Sequence, residues 1–300
     1  MLSKLGVDNF NLVDIGSSFN LFEPFNIIEK VWEKDLSILC FEPNEDTIIF
    51  KSKASRININ KALWNKEDTV DFHIAINKSE SSIYPPDIKL LKIFDEKHWK
   101  NRQTAEVVKT KTTTLDLETK NHKFNPDFIK IDTQGAEYEI LEGSKDTLKK
   151  GVFGLLLETW SYPFHKNQKL VFEVMKLMDE NGYFLVDLDK GGYYRRQSLD
   201  DSILYLGHIG VLDLLYFEKF DKFVSSKKTD DEIIKAACIA DLYGMSDYAI
   251  DILNYYDNFD VLINKIKLKR KTKIKKVSNQ WRVEKLKTLL KFNPRTPPLH

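Results

Sequence analysis

Three hundred residues with 42% hydrophobic content suffice for a full core and a smaller second unit. The net charge of +1 conceals an uneven distribution: residues 264–291 hold twelve Lys or Arg against the single acid Glu284, leaving 34 basic and 44 acidic residues, or −10, elsewhere. That balance counts against a nucleic-acid-binding main body, and two isolated cysteines, Cys40 and Cys238, give no CxxC or Cys/His spacing for a metal or disulfide framework.

The opening MLSKLGVDNF lacks the apolar run of a signal peptide, and no segment approaches a membrane span, so a soluble cytoplasmic protein is expected. FNLVDIG (10–16) reads as a buried strand, followed by a helical stretch over 22–34. LSILCFEP (36–43) is a second strand, ended by Pro43, and RININKALW (56–64) a shorter third. DTVDFHIAIN (68–77) alternates with period two and predicts an accessory strand or hairpin before the loop SSIYPPD. AEVVKTKTTTLDL (105–117) predicts another accessory strand running into a turn.

DFIKI (127–131) is the fourth main strand, with a helix from Ala136 that Gly143 interrupts and Gly151 ends. VFGLLLE (152–158) is a fifth. Leu170, Val174, Leu177 and Met178 then recur at helical spacing before Gly182, and FLVDLD and LLYFEK supply the last strands. From about residue 226 the pattern is helical only, which divides the chain into domains 1–225 and 226–300. Alternating strands and helices predict an α/β fold with a mostly parallel sheet.

Asp14, Glu42, Asp132 and Glu158 each end an apolar strand. In an open parallel sheet such ends lie side by side, and ligands bind in the crevice outside them where strand order reverses. Any one of these acids could be a helix cap, but glutamate caps poorly and Glu42 is followed at once by Pro43. The loop DIGSSFN keeps only Gly16, with Ser18 and Asn20 where a dinucleotide loop would carry further glycines, so a nicotinamide oxidoreductase is disfavoured. S-adenosylmethionine, a nucleoside without a pyrophosphate, relaxes that demand. Glu42, about twenty residues past the loop, suits the two ribose hydroxyls.

LVDIGSSFNLF, LCFEPN, TTTLDL and above all DFIKIDTQGAEYEILEGS, followed by LLLE and GYFLVDL, resemble the FkbM family of S-adenosylmethionine-dependent methyltransferases over roughly residues 11–189. The resemblance implies a class I methyltransferase (Rossmann-like) fold: a seven-stranded, mostly parallel sheet between helical layers, with a C-terminal helical appendage. It implies methyl transfer to an oxygen, with a sugar, glycan or related small molecule as acceptor, in cell-surface polysaccharide biosynthesis. It places Asp14, Gly16, Ser17, Ser18 and Asn20 around the methionine end and ribose. Glu42 and Asn44 fall near ribose and adenine, and Ala62 and Leu63 near the adenine face, although plain core packing accounts for these last two equally well.

Asp132 is the first candidate to accept or orient the proton of an acceptor hydroxyl. Glu137 and Glu158 are further catalytic candidates, Glu137 against a strong reading as helix-dipole partner. Trp160 and Tyr162 could stack on a sugar but are more readily packing, and His165 is a reserve base. No ligand spacing supports a metal. A non-catalytic partner protein on the same scaffold is the alternative reading, and the retained crevice acids weigh against it. The tail, 263–291, interleaves Ile263, Ile266, Ile274, Val277, Trp281, Leu289 and Leu290 with lysines, which predicts either a helix packed on the acidic body or a peripheral contact with an anionic membrane face. Oligomeric state is not legible.

Overall fold

The computed structural model describes residues 9–16, 35–43, 54–196 and 207–268. The expected helix over 22–34 and most of the basic tail lie outside them. The chain divides into two compact units, Met1–Ala236 and Ala237–His300.

The first unit is built on a seven-stranded sheet of β1 (Phe10–Ile15), β2 (Leu36–Phe41), β3 (Ser55–Ile59), β7 (Phe128–Ile131), β8 (Gly154–Trp160), β9 (Tyr183–Tyr194) and β10 (His208–Glu218), in the order β3-β2-β1-β7-β8-β10-β9. The first five in that order are parallel, and β10 runs antiparallel to both of its neighbours. The chain leaves β1 toward β2 and β3, then returns to the other side of β1 with β7. The strand order therefore reverses between β1 and β7, where an open α/β sheet forms its crevice.

A second sheet holds β4 (Ala62–Leu63), β5 (Thr69–Ala75) and β6 (Thr104–Thr113) in the order β4-β6-β5. The expected third strand over 56–64 is thus two strands in two sheets, because the chain leaves the main sheet after Ile59 and pairs Ala62 and Leu63 with Thr112 and Thr113. The turn expected after β6 is a helix, capped by the Thr114 side chain, which accepts from the Leu117 N–H at 3.1 Å.

Among the described helices, α1 spans Ile88–Leu91, α2 Leu115–Asn121, α3 Glu137–Glu142, α4 Lys145–Gly151, α5 Val171–Glu180, α6 Phe220–Val224, α7 Asp230–Leu242 and α8 Ser246–Tyr255. Gly143 separates α3 from α4 as expected, and the reason is contact: a Cβ there would lie 2.2 Å from the Trp64 carbonyl oxygen. Gly182, at φ +79, ends the turn after α5.

Strand alternation sorts the first unit's core. Val13, Ile15, Leu39, Phe41, Ile129, Ile131, Leu155, Leu157, Leu212 and Leu214 share one apolar cluster with Ile140, Leu141, Leu148, Val174 and Met178 of the helices. At the far ends of β1 and β7 the buried Lys235 pairs with Asp127 at 3.2 Å and Asp231 at 2.9 Å, and Asp127 also accepts the Asn11 N–H at 2.7 Å.

In the second unit, Ile239, Ala240, Ala249, Ile252, Leu253, Ile263 and Ile266 are buried. Ile263 and Ile266 belong to the apolar set of the 263–291 pattern, and within 260–268 Val261 and Leu268 are exposed. Among the described residues no helix is long and apolar enough to cross a membrane.

Candidate active site

The register of the sheet brings the strand-end acids into one line. Ile15 stands opposite Phe41 and Ile131, and Ile131 opposite Leu157, so the next position along reads Glu42, Gly16, Asp132 and Glu158. Glu158 pairs with Asp213, and Asp213 with Asp189. A single row across six strands therefore carries five carboxylates around one glycine. Gly16 is required there: its φ is +76, and a Cβ would sit 1.7 Å from the Asp132 carbonyl oxygen.

Two residues deeper, on the same face, Asp14 stands opposite Lys130. The Lys130 ammonium lies 3.4 Å from Asp14 Oδ1 and 3.5 Å from Asp132 Oδ2, and donates to the carbonyl of Gly16 at 3.1 Å. Burial opposes its charge, but Asp132, Asp14 and Glu158 outweigh that and hold its pKa above the ordinary lysine value. Lys130 is thus a fixed cation beneath the acid row.

Burial pushes the Glu158 carboxyl well up, reinforced by the negative charges of Asp132 and Glu137. Burial likewise raises Asp213 to about 6, with Asp132 and Asp189 adding to it. The Gln134 amide nitrogen donates to Asp132 Oδ1 at 3.2 Å and to Glu158 Oε2 at 2.9 Å. Glu137, in contrast, turns into its own loop: its Oε1 accepts from the N–H of Thr133 at 3.1 Å, from the Thr133 hydroxyl at 3.2 Å and from the N–H of Gly135 at 3.0 Å. Burial raises it to about 7 despite those donors. Its visible work is to hold the turn that presents Asp132 and Gln134.

The segment between β5 and β6 is fastened to this turn. Ser82 Oγ donates to the Gln134 carbonyl at 2.9 Å, Arg102 Nη1 to Gln134 Oε1 at 2.9 Å, and the Tyr84 hydroxyl to Glu139 at 2.7 Å. The Arg102 guanidinium also lies over the rings of Trp160 and Phe164, 5.0 and 5.2 Å from their centroids.

A cavity of about 310 Å³ opens beside the row, lined by Gly16, Glu42, Ala62, Leu63, Asp132 and Gln134, with Phe41, Phe72 and Ile83 as apolar wall and Lys61 and Lys78 at its polar side. Of the expected cofactor residues, Gly16, Glu42, Ala62 and Leu63 therefore meet in one chamber, while Asp14 lies behind it with Lys130. Ser17, Ser18, Asn20 and Asn44 fall outside the described residues. Asp132 and Glu158 are brought together and Glu137 stands behind them. Trp160 and His165 are buried, the latter held near a pKa of 3 chiefly by burial and then by the Arg102 charge.

Sequence reasoning misses Lys130, Gln134, Arg102 and Asp213. Lys130 and Asp213 carry a signal, as charges inside otherwise apolar strands; Arg102, in KNRQT, reads as ordinary surface loop.

A family model described as the methyltransferase FkbM domain matches residues 14–185, more than half of the chain. No curated protein matches it. Among solved structures, the methyltransferase FkbM from Methylobacillus flagellatus KT is 12% identical with a TM-score of 0.38, over 69% of this chain and 44% of that one. Magnesium protoporphyrin IX methyltransferase from Synechocystis PCC 6803, with bound SAM, is 8% identical with a TM-score of 0.32, over 73% of this chain and 74% of that one. The chain thus spans less than half the length of the Methylobacillus protein.

Proposed function

We propose, for a chain that belongs to the FkbM methyltransferase domain family, that it transfers a methyl group from S-adenosylmethionine to a hydroxyl of a sugar, glycan or related small molecule. The observation that carries this reading is the row Glu42, Gly16, Asp132, Glu158 at the reversal of strand order, beside a chamber of suitable chemistry.

The residues fit the cofactor. Gly16 keeps the backbone clear where any side chain would collide with Asp132. Glu42 offers carboxylate oxygens to the paired ribose hydroxyls, and Ala62, Leu63, Phe72 and Ile83 give adenine an apolar wall. When bound, S-adenosylmethionine supplies an electrophilic methyl group on a sulfonium. The chain's part is to hold the acceptor oxygen in line and remove its proton to an oxygen of Asp132. Glu158 beside it has a raised proton affinity, set first by burial and then by the negative charge of Asp132.

The −10 balance of the chain outside 264–291 favours a neutral or weakly charged acceptor over nucleic acid. A role in polysaccharide biosynthesis at the cytoplasmic side of a membrane, with reversible contact through residues 263–291, belongs to the same reading and rests on sequence alone. Vesicle cosedimentation at low and high salt tests that contact: salt-insensitive or absent pelleting with anionic lipid refutes it.

Calorimetry with S-adenosylmethionine, its demethylated product and NAD tests the core of the proposal. Binding of the first two and not the third is expected, and Glu42→Ala should weaken both. Transfer of labelled methyl to an acceptor panel then separates hydroxyl compounds from amines and RNA. Binding of NAD alone, or label reaching only amines or RNA, would overturn the reading.

A further inference from the structure

We propose that Gln134 is the positioning residue of the crevice: its amide spans Asp132 and Glu158 and, pinned by Arg102, fixes the distance and orientation at which the two carboxylates meet an acceptor proton. This rests on the reading of the crevice as the place of methyl transfer.

The amide's direction follows from its partners. Arginine is only a donor, so the Gln134 oxygen must face Arg102, as its 2.9 Å contact requires. The amide nitrogen then faces the acids, and its two N–H groups are spent one on Asp132 and one on Glu158. A side chain of the same length without donors would remove the amide group that the two carboxylates share.

The surrounding structure holds this arrangement at a cost. Gln134 adopts φ +57, the left-handed region that suits glycine or asparagine better, and Gly135 follows at φ +113. The turn keeps that shape because Glu137 caps it from one side and Ser82 binds the Gln134 carbonyl from the other. Arg102 in turn is buried over the adjoining rings of Trp160 and Phe164, with Glu80 3.7 Å from its Nε. Glu137, Ser82 and Arg102 therefore converge on the placement of one uncharged amide.

The test is a pH titration of 13C-labelled carboxyl groups in the full chain without ligand, with Asp132 and Glu158 identified through Asp132→Asn and Glu158→Gln. A donor to a carboxylate favours its ionised form, so Gln134→Met should raise at least one of the two midpoints by about one unit, a tenfold change in proton affinity. Gln134→Asn suits the left-handed backbone but cannot reach both acids. It should show the same rise while melting no lower than the parent, which a purely conformational role would not produce. Should the Met variant fail to fold, Arg102→Lys keeps the charge but loses the fork that pins the amide, and its midpoints should move in the same direction. Midpoints unchanged in the variants that fold would overturn the proposal. Because no cofactor or acceptor takes part, failure of S-adenosylmethionine binding would strike the proposed function and leave this result standing.

Discussion

The two faces of the seven-stranded sheet are made from alternate residues of the same strands; both bury apolar side chains, and they part in character toward the crevice. On β7, Ile129 and Ile131 enter the apolar cluster under the helices, while Lys130 between them stands among Asp14, Asp132 and the Gly16 carbonyl. On β8, Leu155 and Leu157 face the cluster, and Glu158 faces Asp132 and Asp213. A period of two lets one strand serve burial and chemistry at once, provided that the charged face carries its own compensation. Lys130 and Gln134 supply it, one with a charge and the other with an amide.

The comparison can be broken most severely at the acids. Asp132→Asn should lower kcat by about 10²–10⁴, the usual worth of a positioned proton acceptor. S-adenosylmethionine affinity should fall less than in Glu42→Ala, and calorimetry beside single-turnover rates would read the two effects separately. A variant keeping most of its kcat would move the proton acceptor to Glu158 or Asp213.

Next in size is Lys130→Met. It keeps the volume of the stem and removes the cation beside Asp14, which should cost about 3–5 kcal/mol in urea denaturation, as removal of one partner of a buried pair does. Ile131→Ala, one residue along on the opposite face, should cost about 2–5 kcal/mol through its cavity. It should leave the carboxyl titrations where they are. If the two variants had the same pH dependence of stability, the division of labour between the faces would fail.

The smallest effect concerns Glu137. Its folded value of about 7 lies above the ordinary 4.5, so between these values the folded chain holds a proton that the unfolded chain has released. Stability should therefore fall as pH rises from about 4.5 to 7, by at most about 3 kcal/mol from this group. Glu137→Gln keeps an acceptor oxygen for the loop and should flatten that part of the curve, as thermal melts across pH would show.

Much of this arrangement is legible in the sequence, for a definable reason. Strand ends are marked by where apolar runs stop, so the positions of Glu42, Asp132 and Glu158 in the chain are enough to set them along one edge of the sheet. Gly16 and the breaks at Gly143 and Gly182 are legible because few other residues tolerate those positions. The split of 56–64 between two sheets is not, because Asn60 and Lys61 carry no turn signal stronger than the surrounding strand pattern. Glu137 reads as a candidate acid because its spacing is silent about which way the side chain turns. Arg102 and Ser82 reach the site through a long accessory excursion, and no local period reports a contact across 32 or 52 residues.

Gly143 ties these regions together mechanically. The carbonyl of Trp64 presses where its side chain would be, so the inner end of the accessory sheet is seated directly on the backbone between α3 and α4. The excursion from Thr69 to Thr104 is then held on a fixed seam: Ser82, Tyr84 and Arg102 latch it to Gln134 and Glu139, and Phe72 and Ile83 lend one side of the chamber. An exchange of that segment would accordingly have to keep those five residues along with the seam at Trp64 and Gly143.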